Sequence, residues 1–261
     1  MKNSVNKSIG VFLCGVCWSL IACFSVYAES NGGQEWEFQL TLYGWLAGQN
    51  GTVGTLPGLP ATDIDVDFYD DILGNINFAL FLVGEARKGR WGGLFDIAYT
   101  DIEDESAFPN GVLWSSADSR TKSWMITAAG LYRLVEKPRA FLDAVGGIRY
   151  WNVDSELSLT AALLPARKIS NREDWIDPIV GLKGLSFLGE SKFFVSGGLV
   201  LGGFHIGSDF MWDAWANLGY QWTQNIATTV GYRYLDVDYE NGDFLYDVAQ
   251  DGLVLGLSWR F

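Results

Sequence analysis

From residue 36 to the end of the sequence, hydrophobic and polar positions alternate with a period of two, as in half-buried β-strands. In the last segment, Leu253, Leu255 and Leu257 share one face, while Gly256 and Ser258 lie on the other. The pattern predicts an all-β fold. The predicted strands cover residues 36–46, 76–87, 95–100, 123–133, 142–150, 176–183, 193–202, 212–221, 230–234 and 251–261.

The connections between these strands are alternately short and long. Tight turns are predicted at residues 88–89, 136–138, 189–190 and 223–225, and longer loops at 49–75, 104–119, 155–171, 205–210 and 240–244. Tight turns at one end and longer loops at the other, with an even strand number, are typical of a transmembrane antiparallel β-barrel. We therefore predict such a barrel with about ten strands, and with eight or twelve as the alternatives.

Aromatic residues make up 15% of the chain, and many stand near the predicted strand ends on the apolar face. Barrels that cross an outer membrane carry aromatic girdles at both membrane surfaces. The aromatic pattern therefore favours the outer membrane as the location. The residues in question are Trp91, Trp124, Tyr132, Tyr150, Trp212, Tyr220, Trp222 and Trp259.

The first 28 residues have the pattern of a secretory signal peptide. Lys2 and Lys7 precede an apolar run from residue 9 to residue 22, and Ala28 ends a plausible cleavage site. We predict a signal peptide at 1–28 and a single outer-membrane β-barrel domain at 29–261. The alternative is lipid modification of Cys23, which follows Leu20, Ile21 and Ala22.

Cleavage after Ala28 removes Cys14, Cys17 and Cys23, which are all three cysteines of the chain. The mature chain then has no thiol for a disulfide, a zinc site or a nucleophile. Cleavage also removes two lysines and takes the formal charge from −13 to −15. Such an acidic chain lacks the basic surface that nucleic acid or anionic lipid would require. We expect no nucleic-acid partner and no cofactor.

Several stretches resemble the outer-membrane β-barrel superfamily of Gram-negative bacteria, and more narrowly a group of proteobacterial barrel proteins without an established activity. The stretches are DDIL at 70–73, EARKGRWG at 85–92, WIDP at 175–178, GGFHIGSD at 202–209, GYRYLD at 231–236 and RF at 260–261. The resemblance implies a barrel that contacts outer-membrane lipid and lipopolysaccharide, and we expect a monomer.

The last strand also resembles the C-terminal signal that the outer-membrane assembly machinery recognises in its substrates. The signal positions are Leu253, Leu255, Leu257, Trp259 and Phe261. The resemblance implies that this strand closes the barrel against the first strand and also serves as the recognition site for that machinery.

Charged residues of both signs fall on the inward face of the predicted strands. One hypothesis is the selectivity ring of a narrow, porin-like channel; the other is a lumen plugged by salt bridges. We favour the plug because both signs alternate, and we expect Arg149 to pair with Asp177. The predicted lumen network is Glu85, Asp96, Asp143, Arg149, Asp177, Lys183 and Arg233, and Glu37 and Asp213 share the same face.

His205 is the only histidine, and Ser208 follows it at a spacing that suggests a hydrolase site. Strand parity places His205 on the lipid side unless residues 202–203 form a bulge or the histidine lies in a loop. No partner for it is evident, so we predict no catalytic residue. We expect a structural or interaction role at the cell envelope, with a narrow channel and then a lipid or peptide hydrolase as the alternatives.

Two acidic runs have the oxygen ligands that Ca²⁺ prefers, but Gly242 is one residue late for a calcium-binding loop. We expect a solvated acidic rim and no metal site. The runs are Asp63, Asp65, Asp67, Asp70 and Asp71, and then Asp236, Asp238, Glu240, Asn241 and Asp243.

Overall fold

The computed structural model describes residues 35–68, 72–107 and 114–261. The signal peptide, its cleavage site and Cys23 lie outside the described residues, as do Asp70 and Asp71 of the first acidic run. The division into a signal peptide and one domain therefore stays a prediction. Residues Trp36–Phe261 form one compact unit. None of the described residues forms a helix that is long and apolar enough to cross a membrane.

Within the described residues, ten long antiparallel strands form a closed ring, which confirms the predicted barrel and its strand number. The strands are β1 (Trp36–Gly54), β2 (Thr62–Val66), β3 (Ile76–Lys88), β4 (Trp91–Ala107), β5 (Trp114–Lys137), β6 (Ala140–Ala161), β7 (Arg167–Phe187), β8 (Phe193–Gly202), β9 (Phe210–Gln221), β10 (Ile226–Asn241) and β11 (Phe244–Arg260). The short β2 lies outside this count, because it pairs only with the far end of β1.

The first and last strands close the ring. β1 and β11 pair over the full length from Gln39–Arg260 to Gly54–Leu245. Beyond this ladder, Phe38 and Phe261 each donate a backbone N–H to the carbonyl of the other, at 3.0 Å. Every strand of the ring therefore has two neighbours, so that backbone polar groups are satisfied within the barrel wall.

The outer face carries an apolar band between two aromatic girdles. At the end with the tight turns, called the turn end, Trp91 packs on Tyr132 with ring centroids 4.7 Å apart. Towards the opposite end, called the loop end, Tyr99 packs on Trp124 at 4.3 Å. On β5 the band runs from Trp124 to Tyr132, about nine residues, which is enough for a tilted strand to cross a membrane.

Seven of the strands continue well past the loop-end girdle, so three of the predicted loops are wrong in part. β4 reaches Ala107, β6 reaches Ala161 and β7 begins at Arg167, all inside segments predicted as loops. The outward positions there are polar, for example Lys122, Asp154 and Arg172. The apolar alternation that identified the strands therefore stops at the girdle, although the strands do not. β8 and β9 end close to the girdle.

The extended strands pack on each other through five aromatic side chains, which we call the aromatic cluster. Trp175 stacks on Tyr239 with centroids 4.0 Å apart and on Trp151 at 5.6 Å. Glu173 on β7 accepts hydrogen bonds from Tyr239 and Asn241 on β10 and so joins these strands above the short β8 and β9. The cluster consists of Trp151, Trp175, Tyr239, Phe244 and Tyr246.

Candidate functional site: the charged lumen

A chain of hydrogen bonds crosses the lumen at the level of the membrane. Asp213 on β9 lies between two arginines: Arg149 Nη2 donates to Asp213 Oδ2 at 2.8 Å, and Arg233 Nη2 donates to the same oxygen at 2.6 Å. Arg233 Nη1 also donates to Tyr43 Oη at 3.3 Å, and Tyr43 donates to Asp96 Oδ1 at 3.0 Å. The carboxylate of Asp213 and the phenol of Tyr43 thus connect opposite walls of the barrel.

Thr127 completes this chain. It accepts a hydrogen bond from Arg149 Nε at 3.0 Å and lies opposite Asp96 in the β4–β5 register. The resulting ring of side chains, called the belt, uses residues from six strands. Its members are Tyr43, Asp96, Thr127, Arg149, Asp213 and Arg233.

The belt is almost completely shielded from solvent. Asp213 is 0% exposed, Arg149 3% and Arg233 7%. Charges this deep are stable only when paired, because the loss of hydration must be offset by mutual attraction and hydrogen bonds. The two arginines with the aspartates at positions 96 and 213 supply equal numbers of both signs.

A second ionic group lies nearer the turn end. Asp143 accepts hydrogen bonds from Arg133 Nε and Arg87 Nη2, both at 2.5 Å. Lys183 on β7 pairs with Glu85 on β3, which stands on the opposite wall. The structure thus brings Glu85, Lys183 and Asp143 into contacts within the lumen, with Arg87 and Arg133 as partners that the predicted network did not include.

Asp177 differs from these groups, and here the expected pairing is wrong. Arg149 and Asp177 are directly opposite in the β6–β7 register, yet Arg149 binds Asp213. Asp177 instead accepts hydrogen bonds from Trp151 Nε1 at 2.8 Å, from the Ser208 amide at 2.6 Å and from Ser208 Oγ at 2.8 Å. The β8–β9 loop brings Ser208 into the barrel, and its neutral donors satisfy the carboxylate that was expected to bind the arginine.

The suggested hydrolase pair does not come together. The His205 side chain is 80% exposed in the β8–β9 loop, and its Nδ1 lies 2.9 Å from Asp209 Oδ1. Ser208 is buried, and its hydroxyl also accepts a hydrogen bond from Trp175 Nε1 at 2.9 Å. Since β8 ends at Gly202, the loop position replaces the lipid-facing one that strand parity gave for His205.

Two aspartates of the second acidic run stand apart from the lumen. Asp236 and Asp238 face outward on β10, beyond the loop-end girdle, and Asp238 lies directly opposite Asp247. Partial burial, followed by the charge of Asp247, raises the pKa of both aspartates. Within the described parts of the chain, no group of three or more histidine and acidic side chains is placed to hold a metal ion.

Between the belt and the turn end lies a cavity of about 250 Å³, called the turn-end cavity. The belt forms its inner end, and Gln39, Asn225 and Arg260 line it at the turn end. Most of its remaining surface is apolar. The apolar lining residues include Leu94, Val145, Ile179, Phe194, Val200 and Trp215.

No protein-family model and no curated protein matches the sequence, so the narrower proteobacterial group stays a prediction. Among solved structures, the outer membrane protease OmpT from Escherichia coli aligns with a TM-score of 0.57 at 13% identity, covering 89% of this chain and 99% of OmpT. Ail from Yersinia pestis aligns at 14% identity over 87% and 99% of the two chains, with a TM-score of 0.35. The translocator domain of NalP from Neisseria meningitidis aligns at 12% identity over 89% and 90%, with a TM-score of 0.42.

At such low identity, the likeness to OmpT concerns the fold. The chain has the fold of the outer-membrane β-barrels of Gram-negative bacteria. A closed barrel with an apolar outer band between two aromatic girdles requires a lipid environment. Fold and surface together place the protein in the outer membrane.

Proposed function

We propose that the protein is a sealed outer-membrane barrel with a structural or interaction role at the cell envelope, and that its lumen does not conduct. The turn end faces the periplasm in this arrangement, as tight turns do in barrels of this kind. Small solutes that enter from the periplasm reach the belt and stop there.

The belt is the observation that carries this proposal. Its buried side chains connect six strands across the lumen, so a solute would have to break the Asp213 contacts with Arg149 and Arg233 in order to pass. On the loop-end side, the stacked rings of Trp151, Trp175 and Tyr239 form a second, apolar barrier. Two barriers of different chemistry thus lie in series.

A narrow channel is the second candidate, because the turn-end cavity extends from the turn end as far as the belt. Planar-bilayer recording distinguishes the two functions. The wild-type barrel should show no steady conductance at a protein-to-lipid ratio at which a general porin conducts. Stable wild-type conductance, with an ion selectivity that Arg149→Ala changes without any loss of stability, would show that the lumen is a pore.

A hydrolase gains no support from the site. His205 contacts Asp209 at the surface, whereas the Ser208 hydroxyl is held inside by Asp177 and Trp175. A serine nucleophile must be reached by its substrate and is activated by a base that is usually a histidine, whereas Ser208 is completely buried and its hydroxyl does not contact His205.

We further propose that the last strand is read by the outer-membrane assembly machinery. The Phe261 ring packs on Phe38 with centroids 5.9 Å apart, and its backbone closes the barrel. Phe261→Ser should leave most of the protein unassembled in the periplasm, as measured by its share in outer-membrane fractions.

Phe193→Ser is the matched control for the assembly test, because Phe193 is a lipid-facing ring of the same turn-end girdle, 4.9 Å from Tyr220. Equal membrane levels for the two variants would mean that Phe261 serves only as part of the lipid-facing surface.

A further inference from the structure

We propose that the turn-end cavity is a binding site for a small, neutral, largely aromatic molecule that carries one hydrogen-bond donor. This proposal goes beyond the sealed barrel, since a blind cavity can hold a ligand whether or not the belt conducts. Such a ligand would enter from the periplasmic side, where Gln39, Asn225 and Arg260 line the mouth.

Two aromatic side chains in the cavity wall, Phe194 and Trp215, lie along the wall and leave the cavity open. The outer edge of the Phe194 ring lies over Gly219, where an added Cβ would meet it at 2.1 Å. The edge of the Trp215 ring lies over Gly198 in the same way, and a Cβ there would meet it at 2.5 Å. Glycine at these two positions lets both aromatic side chains lie along the wall, so that they line the cavity and do not fill it.

The size of the cavity limits the ligand. An apolar protein cavity of about 150 Å³ accommodates benzene. At about 250 Å³, the turn-end cavity has room for roughly ten non-hydrogen atoms, which is the size of a bicyclic ring system. The rings of Phe194 and Trp215 can pack against such a molecule in the offset or edge-on arrangements that aromatic pairs prefer.

The ionic groups deep in the cavity are paired, and Arg260 at its mouth is exposed to solvent, which favours a neutral ligand inside. Lys183 binds Glu85, and Arg149 and Arg233 share Asp213. A charged ligand would lose its hydration without finding a free counter-ion among these groups, and an unpaired buried charge is strongly unfavourable.

Asn217 is the reason why the ligand should carry a hydrogen-bond donor. Its side-chain oxygen is buried without a hydrogen-bond partner among the described residues, although the side chain lines the cavity. A buried acceptor left in this state destabilises the protein. A half-turn of the amide group exchanges its oxygen and nitrogen: the nitrogen then lies beside the Ala216 carbonyl oxygen, which is next to the present position of the Asn217 oxygen over Gly231, and the acceptor faces the cavity, where an N–H or O–H of a ligand would satisfy it.

Indole and 1-methylindole are suitable probes, because they share the aromatic ring system and only indole has an N–H donor. Calorimetric titration of the barrel in lipid nanodiscs, corrected with empty nanodiscs, should show saturable binding of indole. 1-Methylindole should bind about three- to tenfold more weakly, the effect of one hydrogen bond. Asn217→Leu, which keeps the number and branching of the side-chain heavy atoms, should abolish that difference.

Val200→Phe tests the location of the site. Val200 is buried in the cavity wall, and a phenyl ring there should weaken indole binding at least tenfold. Val195→Phe adds the same ring to the lipid face of the same strand and should leave binding unchanged. Each variant is first checked for the wild-type mobility of the folded barrel on an unboiled gel.

Three results would overturn the proposal. The first is no saturable binding above that of empty nanodiscs, and the second is equal binding to the Val200→Phe and Val195→Phe barrels. The third is equal affinity for the two probes, which would exclude a donor-bearing ligand class. A barrel that binds indole and also conducts would refute the sealed lumen and leave this site standing.

Discussion

The two halves of the barrel interior are closed by opposite chemistry. In the turn-end half, where the outer face is apolar, the inside holds the belt and the Asp143 and Lys183 ion pairs. In the loop-end half, where the outer face is polar, the inside holds the aromatic cluster. Apolar side chains therefore cover the outer face only in the turn-end half, where others also line the cavity, whereas in the loop-end half they lie inside.

The reversal occurs within single strands. On β10, Val230, Tyr232 and Tyr234 face the lipid, whereas inward-facing Leu235 and Val237 are completely or almost completely buried. Beyond Tyr234 the outward positions become aspartates, which face water. This change along β10 marks the level at which the outer surface of the membrane crosses the barrel wall. Below that level the outward apolar groups face lipid, and above it the inward apolar groups pack on each other.

The strongest test of the turn-end half is Asp213→Ala. The change leaves Arg149 and Arg233 as buried guanidinium groups without their shared carboxylate, and breaking a buried ion pair in this way costs about 3–5 kcal/mol. The free energy of unfolding, measured by urea titration of the barrel refolded in lipid vesicles, should fall by this amount.

Glu190→Ala is the control for the Asp213 variant. The Glu190 side chain is 97% exposed and lies 4.0 Å from Arg139, so its loss should change stability by less than about 1 kcal/mol. Equal small losses in both variants would mean that the belt does not hold the turn-end half together.

The loop-end half is tested by Trp175→Ala. Trp175 stacks on Tyr239 and Trp151, and the loss of a buried aromatic ring costs about 3 kcal/mol where neighbouring groups can relax. Hydrogen exchange should speed up in the loop-end parts of β6, β7, β10 and β11, while the turn-end parts keep their protection.

Trp124→Ala, which removes a ring from the lipid-facing girdle, should leave the exchange rates of those loop-end strands unchanged. A uniform loss of protection along the whole barrel in Trp175→Ala would mean that the two halves unfold as one unit. That result would contradict the view that each half is stabilised by its own set of interior contacts.

The membrane-level strands could be predicted from the sequence because lipid requires an uninterrupted apolar face. That requirement also placed Glu85, Asp96, Arg149 and Lys183 inside. The prediction fails past the loop-end girdle, because outward positions such as Asp154 are polar there and the outer face no longer shows apolar alternation. The inward apolar residues continue there in the opposite phase, and a search for a phase reversal would have found the strand extensions.

Partners within the lumen were harder to predict than positions. Alternation assigns a side chain to a face, but the choice between Asp177 and Asp213 as the partner of Arg149 depends on distances across the barrel. It also depends on Ser208, which a loop carries into the interior to bind Asp177. Neither the curvature of the wall nor the path of a loop is encoded in a two-residue period.

The smallest expected effect concerns pH at the outer surface of the loop-end half. Asp236 and Asp238 lie past the membrane-spanning part of β10, and burial together with the charge of Asp247 raises their pKa values above the ordinary 3.8. Asp209 and Glu240 add to the effect at Asp238, and His205 opposes it.

A raised pKa means that the folded hairpin of β10 and β11 binds protons more tightly than the unfolded chain does. Its contribution to stability is therefore highest below pH 3.8 and falls as the pH rises through the folded-state pKa values. Because these side chains are partly solvated, we expect a change within about 0.5 kcal/mol.

Hydrogen exchange of the hairpin amides, corrected for the intrinsic pH dependence of exchange, measures this effect. Protection near the tip of β10 and β11 should decrease from pH 4 to pH 6, and Asp238→Asn should reduce that decrease by removing the carboxylate opposite Asp247. Asp174→Asn, on the outward face of β7, is the control and should leave the decrease in place. The amides of the turn-end half should not respond, because the lumen charges there are buried and paired. A response of equal size in both halves would contradict the assignment of the pH effect to the outer surface of the loop-end half.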